Sequence, residues 1–147
     1  EDVVLLASRA LLQAYGLTPE QCARAVREEN YAIFRDCPFV LGSRAQDISG
    51  LAAQAALRTV GAPVRVRARS DNADTMITLC ERGCGICFCS ELLLRALRSK
   101  KQLESMLVLR LPRKQAGQIC FAYRKKPYQW QLLSAFLRIA RQCVHEA

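Results

Sequence analysis

Four cysteines fall within the eleven residues 80–90, Cys80-Glu81-Arg82-Gly83-Cys84-Gly85-Ile86-Cys87-Phe88-Cys89-Ser90. Thiols at that density can bind a soft metal, pair as disulfides, or fill a buried strand as small apolar side chains. A structural zinc site wants four ligands, usually as two pairs separated by a loop. Cys84 and Cys87 make one such pair, but no second pair with metal spacing follows and His145 is the only histidine in the sequence. No metal ligand and no cofactor are therefore expected. Cys87 and Cys89 stand at i and i+2 on one face of a strand, with Cys80 on the preceding helix, so the thiols read as packing for a two-sided buried strand. The alternative is a thiol that reacts with an oxidant or electrophile, and Cys84 and Cys89 are the candidates for it.

A second set of residues suits anion recognition. In open α/β sheets ligands bind outside the carboxyl ends of the strands, where backbone N–H groups and helix amino termini point at negative charge. Gly42-Ser43-Arg44-Ala45-Gln46, Ser70-Asp71-Asn72 and Cys89-Ser90 are three such ends. Ser43 can donate a hydroxyl hydrogen bond and Arg44 a bidentate fork to a carboxylate. Against this, Ser43 also suits a turn, Arg44 a solvated surface and Asp71-Asn72 a helix cap. No Gly-x-Ser-x-Gly elbow, no phosphate loop with Lys and no histidine beside a nucleophile occurs, so no catalytic residue is expected.

The elements that must position these residues follow a regular rhythm. Val3 to Ala7 is an apolar, β-branched run expected as a buried strand. Thr18-Pro19 caps and opens a short helix from Glu20 to Arg27. Pro38 to Leu41 forms a second buried strand, and Asp47 or Ser49 caps an Ala-rich helix running to about Val60. Val64-Arg65-Val66-Arg67-Ala68-Arg69 alternates, which predicts a half-exposed strand with its arginines on one face. Asn72 or a neighbour then caps a helix over 73–81, stopped at Gly83. Gly85 to Cys89 is expected as a central parallel strand. A helix from Glu91 to about Leu97, a strand over Met106–Leu109, a strand over Ile119–Tyr123 and a helix from about Tyr128 to Cys143 complete the chain. Strand, helix and strand in this order mean βαβ units and a mainly parallel sheet.

At 147 residues and 51% hydrophobic content, the chain has enough material for one domain with its own core. Lys and Arg number 22 against 13 Asp and Glu, a net charge of +9, which favours an anionic partner. The chain itself carries no recognition-helix pattern and no aromatic residues interleaved with basic ones, as base readout or single-strand binding would need. No apolar run is long enough to span a bilayer, so no membrane partner is expected. The absence of a leader, together with eight cysteines in a largely apolar chain, favours free thiols in the reducing cytoplasm. The sequence opens inside an apolar run without Met, and is read as part of a longer polypeptide.

The order Pro-Phe-Val-Leu-Gly-Ser-Arg from Pro38, Val-Arg-Val-Arg-Ala-Arg through Gly83-Cys84-Gly85, and Phe121-Ala122-Tyr123-Arg124-Lys125 with Ala135-Phe136-Leu137 resembles the effector-binding domain of LysR-type bacterial transcriptional regulators. The resemblance covers nearly the whole chain and rests on register and order rather than on one specific motif. It implies a type II periplasmic-binding-protein-like α/β fold, with a small-molecule effector between two subdomains. Residues 1–8 would be the first hinge strand, 9–90 the second subdomain, and 91–147 the crossover and return to a first subdomain that is incomplete here. The resemblance also implies DNA binding through an N-terminal winged helix-turn-helix outside this chain, and a homodimer or homotetramer. It places effector contacts at Ser8 and in the loop Gly42, Ser43, Arg44 and Gln46, to which the strand-end rule adds Asn72 and Ser90. The family commonly has Pro after the Gly-x-Gly strand, where this chain has Cys89-Ser90. A solute-binding module of the same fold is the other reading, as is a thiol-based sensor.

Overall fold

The computed structural model describes residues 2–43, 47–61, 63–112 and 131–145. Its frame is strand β1 (Val3–Ser8), whose six residues are all buried. The period-two alternation of a strand divides them between two cores. Val3, Leu5 and Ala7 face one core, and Val4 and Leu6 the other. A three-layer α/β/α arrangement follows, because each face of the sheet must be covered by helices.

The first core is roofed by α1 (Arg9–Ala14), α2 (Pro19–Arg27), a 3-10 turn over Tyr31–Phe34 and α3 (Ile48–Val60). Local chemistry starts each helix. The Ser8 hydroxyl accepts from the Leu11 amide, Thr18 and Gln21 form a reciprocal capping box on α2, and the Asp47 carboxylate accepts from the Gly50 amide at 2.6 Å. Asp47, rather than Ser49, is thus the cap of α3. The second core is covered by α4 (Ala73–Glu81), α5 (Glu91–Leu97) and α6 (Lys100–Leu103). Arg98 ties α5 to α4. Its side chain is 8% exposed and bonds Glu81 and Asp74 at 2.6 Å each and Thr78 at 2.7 Å, three residues on one face of α4.

The strands form two small sheets. In one, β1 lies between β4 (Cys87–Ser90) and β5 (Met106–Arg110), antiparallel to both. In the other, β2 (Pro38–Leu41) pairs in parallel with β3 (Arg65–Arg69). The sheets are joined by one parallel bridge, Phe39 to Ile86. There the Ile86 amide donates to Pro38 O at 2.8 Å and the Val40 amide to Ile86 O at 2.9 Å. The fold is therefore α/β with a mixed sheet.

Two sequence expectations change. The cysteine strand is parallel to its neighbour only at Ile86; from Cys87 onward it pairs antiparallel with β1, because it returns along the opening strand. The arginine strand does not keep its basic residues on one face. The register shifts at Arg67, so Val66 sits beside Phe39 on the first core and Ala68 beside Val40 on the second. A bulge of this kind turns the strand over. Arg65, Arg67 and Arg69 remain exposed, alternating with the half-buried Val66 and Ala68. The expected strand at Ile119–Tyr123 and the start of the last helix at Tyr128 lie outside the described residues; α7 spans Gln131–His145.

Gly85 makes the bridge possible. A Cβ there would lie 2.9 Å from both Phe39 C and Pro38 O. Neither backbone atom can move without breaking the ladder. Gly85→Ala is expected to cost about 3 kcal/mol in urea unfolding, at the upper end for overpacking; an unchanged midpoint would contradict this packing.

Candidate functional site

The carboxyl ends of β2, β3 and β4 open on one cleft of about 130 Å³. Its floor is apolar, made by Leu41 from β2, Met76 from α4, and Phe88 and Cys89 from β4, with Leu93 of α5 at its rim. Its polar lining comes from the ends of elements. Gly42 follows β2, Ser70 and Asp71 follow β3, Asp47, Ser49 and Gly50 start α3, and Ser90 ends β4.

Hydrogen bonds hold these ends together. The Ser43 amide donates to Asp71 Oδ1 at 3.1 Å, and the Ser70 amide to Leu41 O at 3.1 Å. An Arg69 guanidinium N–H donates to Gly42 O at 3.3 Å. The loops after β2 and β3 are thereby locked side by side. The Asn72 side chain accepts from the Thr75 amide at 2.9 Å and starts α4. The Ser90 hydroxyl accepts from the Leu93 amide at 3.2 Å and starts α5. The first turns of α3 and α4 both border the cleft, and each brings the partial positive charge of a helix amino terminus.

The expected contacts divide into three groups. Gly42 and Ser90 line the cleft, and Ser43 is tied to its Asp71 wall. Asn72 is a helix cap flanked by the lining residues Asp71 and Ala73, while Ser8 lies at the opposite end of β1, buried as the cap of α1. Since Val3 pairs with Ser90, five residues of strand, about 17 Å, separate Ser8 from the cleft end. Arg44 and Gln46 lie outside the described residues. Sequence reasoning missed the floor, because Leu41, Met76 and Phe88 read simply as core positions. It also took Asp71 for a cap, where the structure gives its carboxylate the Ser43 amide across the sheet.

The thiols pack as the blander sequence reading expects. Cys80, Cys87 and Cys89 belong to the second core, and the Cys80 thiol donates to Leu6 O at 3.0 Å. Hydrogen bonding with Cys80 and Cys89, together with full burial, pushes the Cys87 thiol well above its ordinary value. Burial beside Cys22 pushes Cys37 up to about 11. Cys84 is half-buried, at the turn before β4 and away from the cleft. Among the described residues no group of three or more His, Cys, Asp or Glu is arranged to hold a metal ion. No helix among them is long and apolar enough to cross a membrane.

Residues 1–143 match the family model of the LysR substrate binding domain. The chain belongs to that family. Comparison with curated proteins and with solved structures gives no match. LysR substrate-binding domains have the type II periplasmic-binding-protein-like fold, in agreement with the α/β layers and mixed sheet seen here. They are the ligand-sensing parts of transcription regulators, which bind small-molecule effectors and oligomerise.

Thiol accessibility is directly measurable. Peptide-resolved alkylation of the native protein is expected to modify Cys84 well before Cys80, Cys87 or Cys89, all three of which should wait for denaturant. Rapid native labelling of Cys89 would show that the cleft floor opens.

Proposed function

We propose that this chain senses a small organic anion for a LysR-type transcriptional regulator. The effector sits in the cleft at the ends of β2, β3 and β4 and alters how the regulator engages DNA. The observation that carries the reading is the convergence of three strand ends and the first turns of α3 and α4 on one partly apolar cleft. That is where open α/β sheets hold ligands, and an apolar cleft with a few convergent polar groups is the usual form of a small-molecule site. A volume of about 130 Å³ holds only part of such a molecule. In this reading the remaining wall belongs to the first subdomain. Residues 1–8 act as the first hinge strand, 9–90 as the second subdomain, and 91–147 as the crossover and return.

The antiparallel pair of β1 and β4 supports the hinge assignment, since two strands side by side let subdomains reorient together. The effector acts by binding one orientation better than the other, which shifts the population. Ser43, Arg44, Gln46 and Ser90 are the proposed effector contacts, with Arg44 supplying the fork to a carboxylate. DNA is engaged by a winged helix-turn-helix elsewhere in the regulator, which works in the cytoplasm as a homodimer or homotetramer. This domain performs no catalysis. The burial of Cys80, Cys87 and Cys89 favours ligand sensing over oxidant sensing.

A thermal-shift screen against small organic acids tests the reading. An acid at 100 times its dissociation constant is expected to add about 2.7 kcal/mol of stability, with the gain lost in Arg44→Ala. A panel without a hit, or a hit indifferent to Arg44, counts against it.

A further inference from the structure

The segment that joins β4 to β5, residues 91–105, is attached to the molecule unevenly. Its ends are pinned by backbone: the Glu91 amide donates to Asp2 O and the Arg9 amide to Ser105 O, each at 2.9 Å. Between those ends Leu94 is the one fully buried residue. Leu92, Leu93 and Leu97 of α5 are 44%, 45% and 39% exposed, and α6 buries nothing. With a single buried leucine, the hydrophobic effect fixes this stretch only weakly.

Charge supplies the other ties. Glu91 meets Arg95 and Arg110, both arginines more than half exposed, and surface pairs of that kind hold little. Arg98 differs, because its guanidinium is sunk against α4, where it bonds Asp74, Thr78 and Glu81. A charged cluster withdrawn from water loses far more when one partner is removed. Beside this segment lies the cleft. Leu93 of α5 stands at its rim, over a floor that includes Met76 of α4 and Cys89 of β4.

We infer that residues 91–105 form a strap beside the cleft floor, latched to α4 by Arg98, and that release of the latch lifts Leu93 from the floor at Cys89 and deepens the cleft. A molecule too large for about 130 Å³ then enters by displacing the strap, so the latch sets how readily the cleft admits it. The strap is read from its own contacts; its consequence for an effector rests on the cleft reading above.

The test is alkylation of Cys89 in the full chain as urea is raised below the unfolding transition. Cys22 and Cys37, buried in the first core, report global opening. Each rate is taken relative to the same thiol in the unfolded chain. Cys89 is expected to react about tenfold faster than Cys22 and Cys37 and with a shallower dependence on urea, since lifting a strap exposes less surface than unfolding. Arg98→Met is expected to raise the Cys89 rate by about tenfold or more and to make it measurable without urea. Arg98→Lys, which keeps the charge and loses the fork, falls between the two. If Arg98→Met does not fold, Asp74→Asn weakens the latch from its exposed side and raises the Cys89 rate by a smaller factor. Should Cys89 follow Cys22 and Cys37 with the same urea dependence, or should the latch variants leave its rate unchanged, the strap is rigid and the inference fails while the cleft reading stands. The thermal-shift screen tests that reading separately, and a panel without a hit leaves the strap in place.

Discussion

The contact on which the arrangement depends is a backbone passing a backbone. At Gly85 the chain runs so close to Pro38 and Phe39 that a single added carbon would collide with main-chain atoms at 2.9 Å. That approach lets Ile86 exchange hydrogen bonds with Pro38 and Val40, which is the ladder joining the β2-β3 pair to the sheet built on β1. Without it the two sheets would have no common edge. With it, Gly42, Ser70 and Ser90 end at the same side of the molecule, and the cleft is their shared boundary. Gly83, two residues earlier, adopts a left-handed conformation at φ +73° and turns the chain out of α4 into this approach. The Gly-x-Gly turn is therefore two requirements in series: one for a positive φ, one for missing volume.

The same strand explains the cysteines. β4 and Ile86 just before it are covered on both faces, with Ile86 and Phe88 in the first core and Cys87 and Cys89 in the second, where α4 brings Cys80 against Leu6. A small, weakly polar side chain fits there at low desolvation cost and can still donate one hydrogen bond. Burial and mutual contact keep the thiol of Cys87 protonated, which makes it a poor nucleophile. The packing role and the chemical quiet of this cluster have one physical cause.

Much of the fold was legible because it is local. Thr18-Pro19 announced α2, Asn72 and Gly83 bracketed α4, and the β-branched run from Val3 marked β1, each by capping, turn or periodicity chemistry contained within a few residues. What was not legible depends on partners distant in sequence. The bulge at Arg67 exists only against Phe39 and Val40, and no count of alternating residues reveals it. The direction of β4 is set by β1, more than eighty residues away. The candidate site shows the same division. Its loops were visible as strand ends, yet its apolar floor is assembled from β2, α4 and β4 and read as ordinary core. Ser8, which the resemblance places at an effector cleft, lies at the other end of β1 from this one, where its hydroxyl accepts from the Leu11 amide.

If the bridge between the sheets holds the cleft together, its hydrogen bonds belong to the most stable unit of the molecule. Native-state hydrogen exchange read at the amides of Val40 and Ile86 measures that stability directly. The account predicts that both exchange only with global unfolding, at the same free energy as amides of β1 such as Leu5. Exchange of Val40 and Ile86 through a separate opening, several kcal/mol below the global value, would mean that the β2-β3 pair is hung loosely on the rest and that the bridge does not set the cleft.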